Sequence, residues 1–220
     1  MSSVQLIPTE ALKDRWVTQD RVYPDDWWLT KYWGDTEGSH RDAIIRALEQ
    51  LDGVASVLEV GCNTGPNLRR IHARWPLVDL AGMDIHPGAI QFGRAQAQEE
   101  GWHFAGYVGD LRELGLLGED AADVVLSCYA LAYLDPRDIQ AVLEACVRAA
   151  RRAVVLCEPM VLDGEEQFSP SGVPEYAYDY GKRLAGLGTL KVSQVEPPHG
   201  RLTHVLTLVK SPGEGTASHS

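Results

Sequence analysis

Apolar and polar positions along this 220-residue chain alternate between a period of about two and a period of about 3.6, and the alternation orders its elements. Val57 to Val60 is a short apolar run of strand type. Leu68, Ile71 and, at looser spacing, Trp75 then recur as on one helix face. Between them Gly61-Cys62-Asn63-Thr64-Gly65 cannot continue a strand, so the unit reads strand, tight turn, helix. The alternation repeats with a strand over Val78 to Asp84, a helix from Gly88 to Gly101 and a strand from His103 to Val108. After a short helical turn at Leu111 to Leu114, a fourth strand starts at Asp123 and its exit runs to Leu134. Pro136 opens a helix, with Asp135 as candidate cap, that turns Ile139, Val142, Leu143, Cys146 and Val147 inward. Val154 to Glu158 is a fifth strand. Leu190 to Glu196 and Leu202 to Lys210 alternate as two more, joined across Pro197-Pro198-His199-Gly200. The pattern predicts an α/β chain with a doubly wound sheet.

Two segments lie outside that rhythm. Ser39 to Leu51 is an amphipathic helix with Ala43, Ile44, Ala47, Leu48 and Leu51 inward, and residues 1–38 before it hold four of the six tryptophans. Trp16, Trp27, Trp28 and Trp33 stand there beside Tyr23 and Tyr32; Pro24-Asp25-Asp26 reads as a helix start, and Gly34 and Gly38 as its end. Such aromatic density fits a cap packed on the sheet edge, or a helical lid that closes a ligand cavity and excludes water. The second segment, residues 158–188, carries Asp163-Gly164-Glu165-Glu166, Pro170-Ser171-Gly172 and Tyr176-Ala177-Tyr178-Asp179-Tyr180. A long insertion at the ligand-bearing edge of a sheet is a place for substrate selectivity. The expected division is a cap or lid over 1–38, one domain over 39–210 containing that insertion, and a frayed tail over 211–220.

Composition narrows the partners. A formal charge of −11 and a pI near 5.0 argue against nucleic acid, whose binding rests on Lys and Arg releasing counterions. No apolar run approaches the roughly 20 residues of a membrane helix, and the start of the chain lacks a signal-peptide pattern. Cys62, Cys128, Cys146 and Cys157 are scattered with no C-x-x-C pair, as in a reduced cytoplasmic protein with buried thiols and no metal site. The expected assembly is a monomer or a homodimer.

The glycine turn carries the chemistry. Glycines let the backbone approach a ligand, and the helix behind offers unpaired N–H groups. A dinucleotide fingerprint fails at two of three glycines, with Asn63 and Pro66 in their places. The register resembles motif I of the class I S-adenosylmethionine (SAM) dependent methyltransferases instead. Glu59, Gly61 and Gly65 stand in place and Asn63 replaces the middle glycine. Asp84, at the tip of the second strand, is placed to accept both ribose hydroxyls, though an acid before Pro87 also suits a helix cap. The resemblance implies that Ile85 and His86 flank the adenine, and that Gly109, Asp110 and Leu111 meet its edge, Asp110 also suiting a cap. It implies that Cys62 lies in the cofactor turn and that Ser127 and Cys128 back the methionine part.

After the fourth strand, many relatives read Asn-Ala-x-x-His-His. This chain has Cys128 and Tyr129 at the first two places and Ala132-Tyr133 at the histidines. Tyr129 and Tyr133 are therefore the candidate catalytic residues, and the missing histidines tilt the expectation toward an amine or thiol acceptor. Trp28, Tyr32, Trp33, Glu158 and Tyr178 are candidates for the substrate side. Arg41 joins them either as a surface arginine or as the partner of a bound amino-acid carboxylate. The implied fold is a Rossmann-like seven-stranded doubly wound sheet with an antiparallel terminal strand and an N-terminal helical lid. The implied activity is methyl transfer from SAM to a small-molecule acceptor, leaving S-adenosylhomocysteine (SAH). The run from Glu59 to Gly65 with Asp84-Ile85-His86-Pro87 looks most like bacterial enzymes of secondary metabolism or surface-sugar decoration. A protein or RNA methyltransferase and a non-catalytic SAM-binding scaffold are the alternatives.

Overall fold

The computed structural model describes residues 27–169, 175–195 and 203–211. Strands β1 (Ser56–Val60), β2 (Asp79–Asp84), β3 (Ala105–Val108), β4 (Ala122–Cys128) and β5 (Ala150–Pro159) pair in parallel. A separate two-stranded ribbon joins β6 (Gln167–Ser169) to β7 (Glu175–Ala177). Strands β8 (Thr189–Val195) and β9 (Thr203–Val209) return to the main sheet, β9 antiparallel to β5. The order is β3-β2-β1-β4-β5-β9-β8, so the winding reverses between β1 and β4. A crevice at the carboxyl ends of those two strands is where such sheets bind ligands.

Helices cover both faces, which is why β4 reads as a continuous apolar run. On one face α2 (Ser39–Glu49), α3 (Pro66–Arg74) and α4 (Pro87–Glu99) bury Ile44, Leu68, Ile71 and Ile90 against Val124, Leu126 and Val155. On the other, α5 (Ile139–Ala149) buries Val142, Leu143 and Cys146 against Val125, Leu156 and Leu206. Helix α5 starts three residues after Pro136. The buried Asp135 carboxylate accepts the Arg137 N–H and its carbonyl accepts the Ile139 N–H, so a turn precedes the helix.

The N-terminal helix α1 (Trp27–Gly34) lies on the outer side of α3 and α4. Trp33 stacks on Trp102 with centroids 6.0 Å apart and donates from Nε1 to Glu100 at 3.2 Å. Arg69 on α3 covers its ring and donates to its carbonyl, and Arg70 holds the Thr36 carbonyl and Asp42. Trp33 is thus a packing residue of the helical layer, not a substrate contact, because its indole is spent on Trp102 and Glu100. Trp16, Tyr23, the Pro24-Asp25-Asp26 helix start, the Pro170-Ser171-Gly172 turn, the hairpin turn at Pro197 and the tail lie outside the described residues, which reach Ser211.

The insertion is pinned by its tyrosines. Tyr176, Tyr178 and Tyr180 are all buried; Tyr178 stacks on Tyr176 and meets Tyr180 edge-on, and its hydroxyl donates to the Leu134 carbonyl. Tyr178 is fully enclosed, so it anchors the insertion to the core and does not face a substrate. A short helix α6 (Tyr180–Arg183), capped by Asp179, closes the segment.

The two loops that border the crevice touch. Gly61 has φ +71°, and a Cβ there would fall 2.2 Å from the Ala130 Cβ in the loop after β4. Replacing Gly61 with Ala should cost roughly 2 kcal/mol or more, from a strained backbone and an overpacked contact. Urea unfolding measures this; an unchanged midpoint would refute the contact.

Candidate functional site

Building outward from β1, the turn Gly61-Cys62-Asn63-Thr64-Gly65 doubles back so that Gly61 and Cys62 donate their N–H groups to the Met83 carbonyl at 2.7 and 3.0 Å. Asn63 takes a left-handed backbone with φ +53°, which explains how asparagine stands where glycine is usual. Its side-chain oxygen accepts the Thr64 N–H at 2.7 Å. Gly65 caps α3 in the left-handed region, and Pro66 takes the first helical place. Helix α4 presses on the turn through Gly93, where a Cβ would lie 2.0 Å from the Thr64 carbonyl oxygen.

Asp84, at the tip of β2, is half-buried and accepts N–H groups from Asn63 at 2.8 Å and His86 at 2.9 Å. Each oxygen keeps a lone pair. Burial pushes its pKa up, opposed by those two bonds. The cap of α4 is His86, whose Nδ1 accepts the Ala89 N–H at 3.1 Å. Trp28 meets the His86 ring edge-on at 4.9 Å, and Tyr32 packs on Trp28. Those two aromatics stand at the amino end of α4, near Asp84, and Trp33 stands away.

A chain of polar groups runs beneath the turn. Asn67, buried in the first turn of α3, donates to Glu59 on β1 at 2.5 Å and accepts from Arg41 on α2. Arg41 also pairs with Asp35 at 2.8 Å. Arg41 is 5% exposed, which removes the reading of a surface arginine. Glu59 Oε2 and Arg41 Nε are buried with no hydrogen-bond partner among the described residues. Burial raises Glu59 to about 8 against the lowering effects of Asn67 and Arg41. Asn67 was not among the expected residues; its signal was a polar side chain on the helix face that carries Leu68 and Ile71.

On the other side of the crevice the exit of β4 is held by a buried carboxylate. Glu158, 0% exposed, accepts the Ser127 hydroxyl at 2.7 Å and the N–H groups of Ala130, Leu131 and Ala132. It fixes the loop from within and does not line a substrate cavity, because both its oxygens are turned to these donors. Burial lifts its pKa to about 7 even so. Tyr129 follows β4 with φ +54°, and its hydroxyl shares a hydrogen bond with Thr203 on β9. Burial pushes that phenol well above its ordinary pKa, which disfavours it as a base. Tyr133 lies half-exposed on a single 3₁₀ turn, Leu131–Tyr133.

At the carboxyl ends of β1 to β4 and in the loops that follow them, Gly61, Asn63, Asp84, Ile85, Gly109, Asp110, Leu111, Cys128, Tyr129 and Tyr133 are therefore half-exposed, while Glu59, Cys62, Gly65 and Ser127 are buried. Asp110 caps the 3₁₀ turn that follows it in a reciprocal box with Glu113, and its oxygens also pair with Arg112. Burial drives the Cys62 thiol well above its ordinary pKa, and its sulfur sits over Gly82. No group of His, Cys, Asp and Glu among the described residues is arranged to hold a metal ion, and none of their helices is long and apolar enough to cross a membrane.

Comparison with known proteins bears on this geometry. Residues 57–153 match the family model described as a methyltransferase domain. The chain is similar in structure to 1,6-didemethyltoxoflavin-N1-methyltransferase of Burkholderia thailandensis, solved with 1,6-didemethyltoxoflavin and SAH. The TM-score is 0.73 at 18% identity, over 96% of this chain and 94% of that one. It is also similar to magnesium protoporphyrin IX methyltransferase of Synechocystis PCC 6803 with bound SAM. There the TM-score is 0.66 at 18% identity, over 96% of this chain and 100% of that one. An amino pentose methyltransferase of Micromonospora echinaspora with bound SAM scores 0.59 at 18% identity, over 85% of this chain and 96% of that one. None of the curated proteins compared matches the chain.

Glu59 makes the fold pH-dependent. Its carboxyl titrates near 4.5 when unperturbed and near 8 in the fold, so folding favours the protonated form. That stabilisation is complete below about pH 4.5 and is lost as pH rises toward 8. Between about pH 5.5 and pH 8 the ligand-free protein should lose on the order of 3 kcal/mol through this group. Glu59→Gln should remove the part of that slope due to Glu59, leaving the part due to Glu158 and Asp84. Urea midpoints across the range measure both slopes, and parallel slopes would exclude Glu59 as the source.

Proposed function

We propose that the chain, whose residues 57–153 match a methyltransferase domain, is a class I S-adenosylmethionine-dependent methyltransferase that transfers a methyl group from SAM to a nitrogen, oxygen or sulfur atom of a small molecule. The observation that carries this reading is the pair of buried, unsatisfied groups beneath the glycine turn. Glu59 Oε2 offers an acceptor and Arg41 Nε a donor, a match for the ammonium and carboxylate of an amino-acid moiety. Asp84 retains acceptor capacity for the two ribose hydroxyls beside the turn. Ile85, Gly109, Asp110 and Leu111 line the adenine end, and Ser127 and Cys128 back the methionine end. Trp28 and Tyr32 close the side next to His86.

A sulfonium is an activated methyl donor, so the protein has mainly to align the acceptor in line, about 3 Å away, in a dry site. The acceptor side is the ground between Tyr129, Tyr133 and the first turn of α2. The toxoflavin and amino pentose methyltransferases are named for small acceptors, which supports a small molecule of secondary metabolism or sugar decoration. The acidic charge of −11 supports neither RNA nor a membrane surface as partner. We place the activity in the cytoplasm, with the domain over 39–210 and the segment before it acting as a cap.

Calorimetry with SAH tests the reading directly. The protein should bind it, and Asp84→Ala should weaken binding by about 10- to 100-fold, the loss of charge-assisted hydrogen bonds. Arg41→Ala should weaken it by roughly 10-fold. No heat of binding for the unaltered protein would overturn the assignment; an unchanged affinity in Arg41→Ala would remove that residue alone.

A further inference from the structure

The acceptor side of the crevice holds a histidine that the spacing of the motifs did not indicate. His40 stands in the first turn of α2, one residue before Arg41, and is 7% exposed. Its ring meets Tyr129 edge-on, with centroids 5.8 Å apart and planes at 81°. Its carbonyl lies 4.0 Å from the Cys157 sulfur, which fixes this turn over the carboxyl end of β5. Two neighbouring residues of one helix turn therefore face the two halves of the site. Arg41 reaches Asn67, which bonds the acid of β1, and His40 reaches the loop that leaves β4.

Tyr129 is held unusually. A left-handed backbone is costly for a bulky residue and persists where the surroundings impose it, as at functional sites. The strain turns the tyrosine ring toward α2 and its hydroxyl onto Thr203. The phenol, occupied by Thr203, can buttress the imidazole. Among the described residues the other histidines lie elsewhere. His72 stacks on Trp102 at the outer helical layer, His86 caps α4, and His103 is exposed before β3, at the far end of the sheet. His204 alternates with Leu206 and Leu208 onto the opposite face.

We propose that His40 is the catalytic base of this site and that its acceptor is a hydroxyl compound, an inference that rests on the methyltransferase reading above. The acceptor oxygen forms its bond to the methyl carbon as the S–CH₃ bond breaks, and that electron pair stays on sulfur. The acceptor O–H proton passes to an imidazole nitrogen of His40 and then to solvent. Tyr129 is a positioning residue that holds the ring. Tyr129 and Cys157 meet this turn from the sheet, Cys128 and Glu158 lie next to Tyr129, and Arg41 and Asp35 stand beside the turn.

The test uses the full chain with SAM and a panel of phenols, sugar alcohols, amines and thiols, following SAH release across pH. SAH affinity by calorimetry is measured in parallel. At least one hydroxyl acceptor should turn over, with kcat rising through a single ionisation. His40→Gln should lower kcat about 100-fold or more and abolish that inflection, with SAH affinity within about twofold. In His40→Ala, added imidazole should restore part of the rate, and Tyr129→Phe should retain the inflection. Turnover of amines or thiols alone, or a His40→Gln enzyme with normal kcat and inflection, overturns the proposal. Tight SAH binding without turnover of any hydroxyl overturns it too and leaves the methyltransferase reading standing. Absence of SAH binding by the unaltered chain strikes that underlying reading instead. If His40→Gln does not fold, the imidazole resonances of the unaltered protein decide, since the His40 ring must titrate with kcat.

Discussion

The crevice depends on one buried carboxylate. Glu158 sits on β5 with no exposed surface and gathers the Ser127 hydroxyl and three successive backbone N–H groups from the loop after β4. A peptide loop leaving a central strand has donors that no ladder can satisfy, and leaving them buried and unpaired is costly. By taking them, Glu158 sets the height of Ala130. Ala130 in turn lies so close to Gly61 that only a glycine fits opposite it. The separation between the glycine turn and the loop after β4 is thereby fixed from inside the sheet.

A second buried network performs the equivalent task on the other flank. Asp35, Arg41, Asn67 and Glu59 link the segment before α2 to β1 through α3. Each member comes from a different element, so the network holds only when all four are docked. Leaving one oxygen of Glu59 and one nitrogen of Arg41 unsatisfied opposes stability. Groups kept in that condition in a cleft suit a ligand that completes them.

Much of this was legible in the residues. Alternation placed most strands to within a residue or two, since a sheet buried on both faces needs continuous apolar runs, but β5 begins four residues before its apolar run, at Ala150. The glycine turn and Asp84 were legible because only a few residue types tolerate that backbone and that position. Asn63 takes the left-handed backbone itself, so the turn keeps its shape without a glycine there. What could not be read was direction. Glu158, Trp33 and Tyr178 have the chemistry of ligand contacts, yet each turns into packing or hydrogen bonds that depend on partners far along the chain: Leu134 for Tyr178, Trp102 and Glu100 for Trp33, residues 127–132 for Glu158. His40 was hidden for the same reason, because its neighbour Tyr129 is 89 positions away.

The three buried tyrosines of the insertion carry a last consequence. They bolt one end of residues 158–188 to the interior, and β5 secures the other, so the span around Leu162 to Glu165 hangs between two fixed points with its side chains in water. Outside Asp163, which holds φ +51°, substitutions in that span cost little in folding, and the molecule can revise what it presents there while its foundation stays the same.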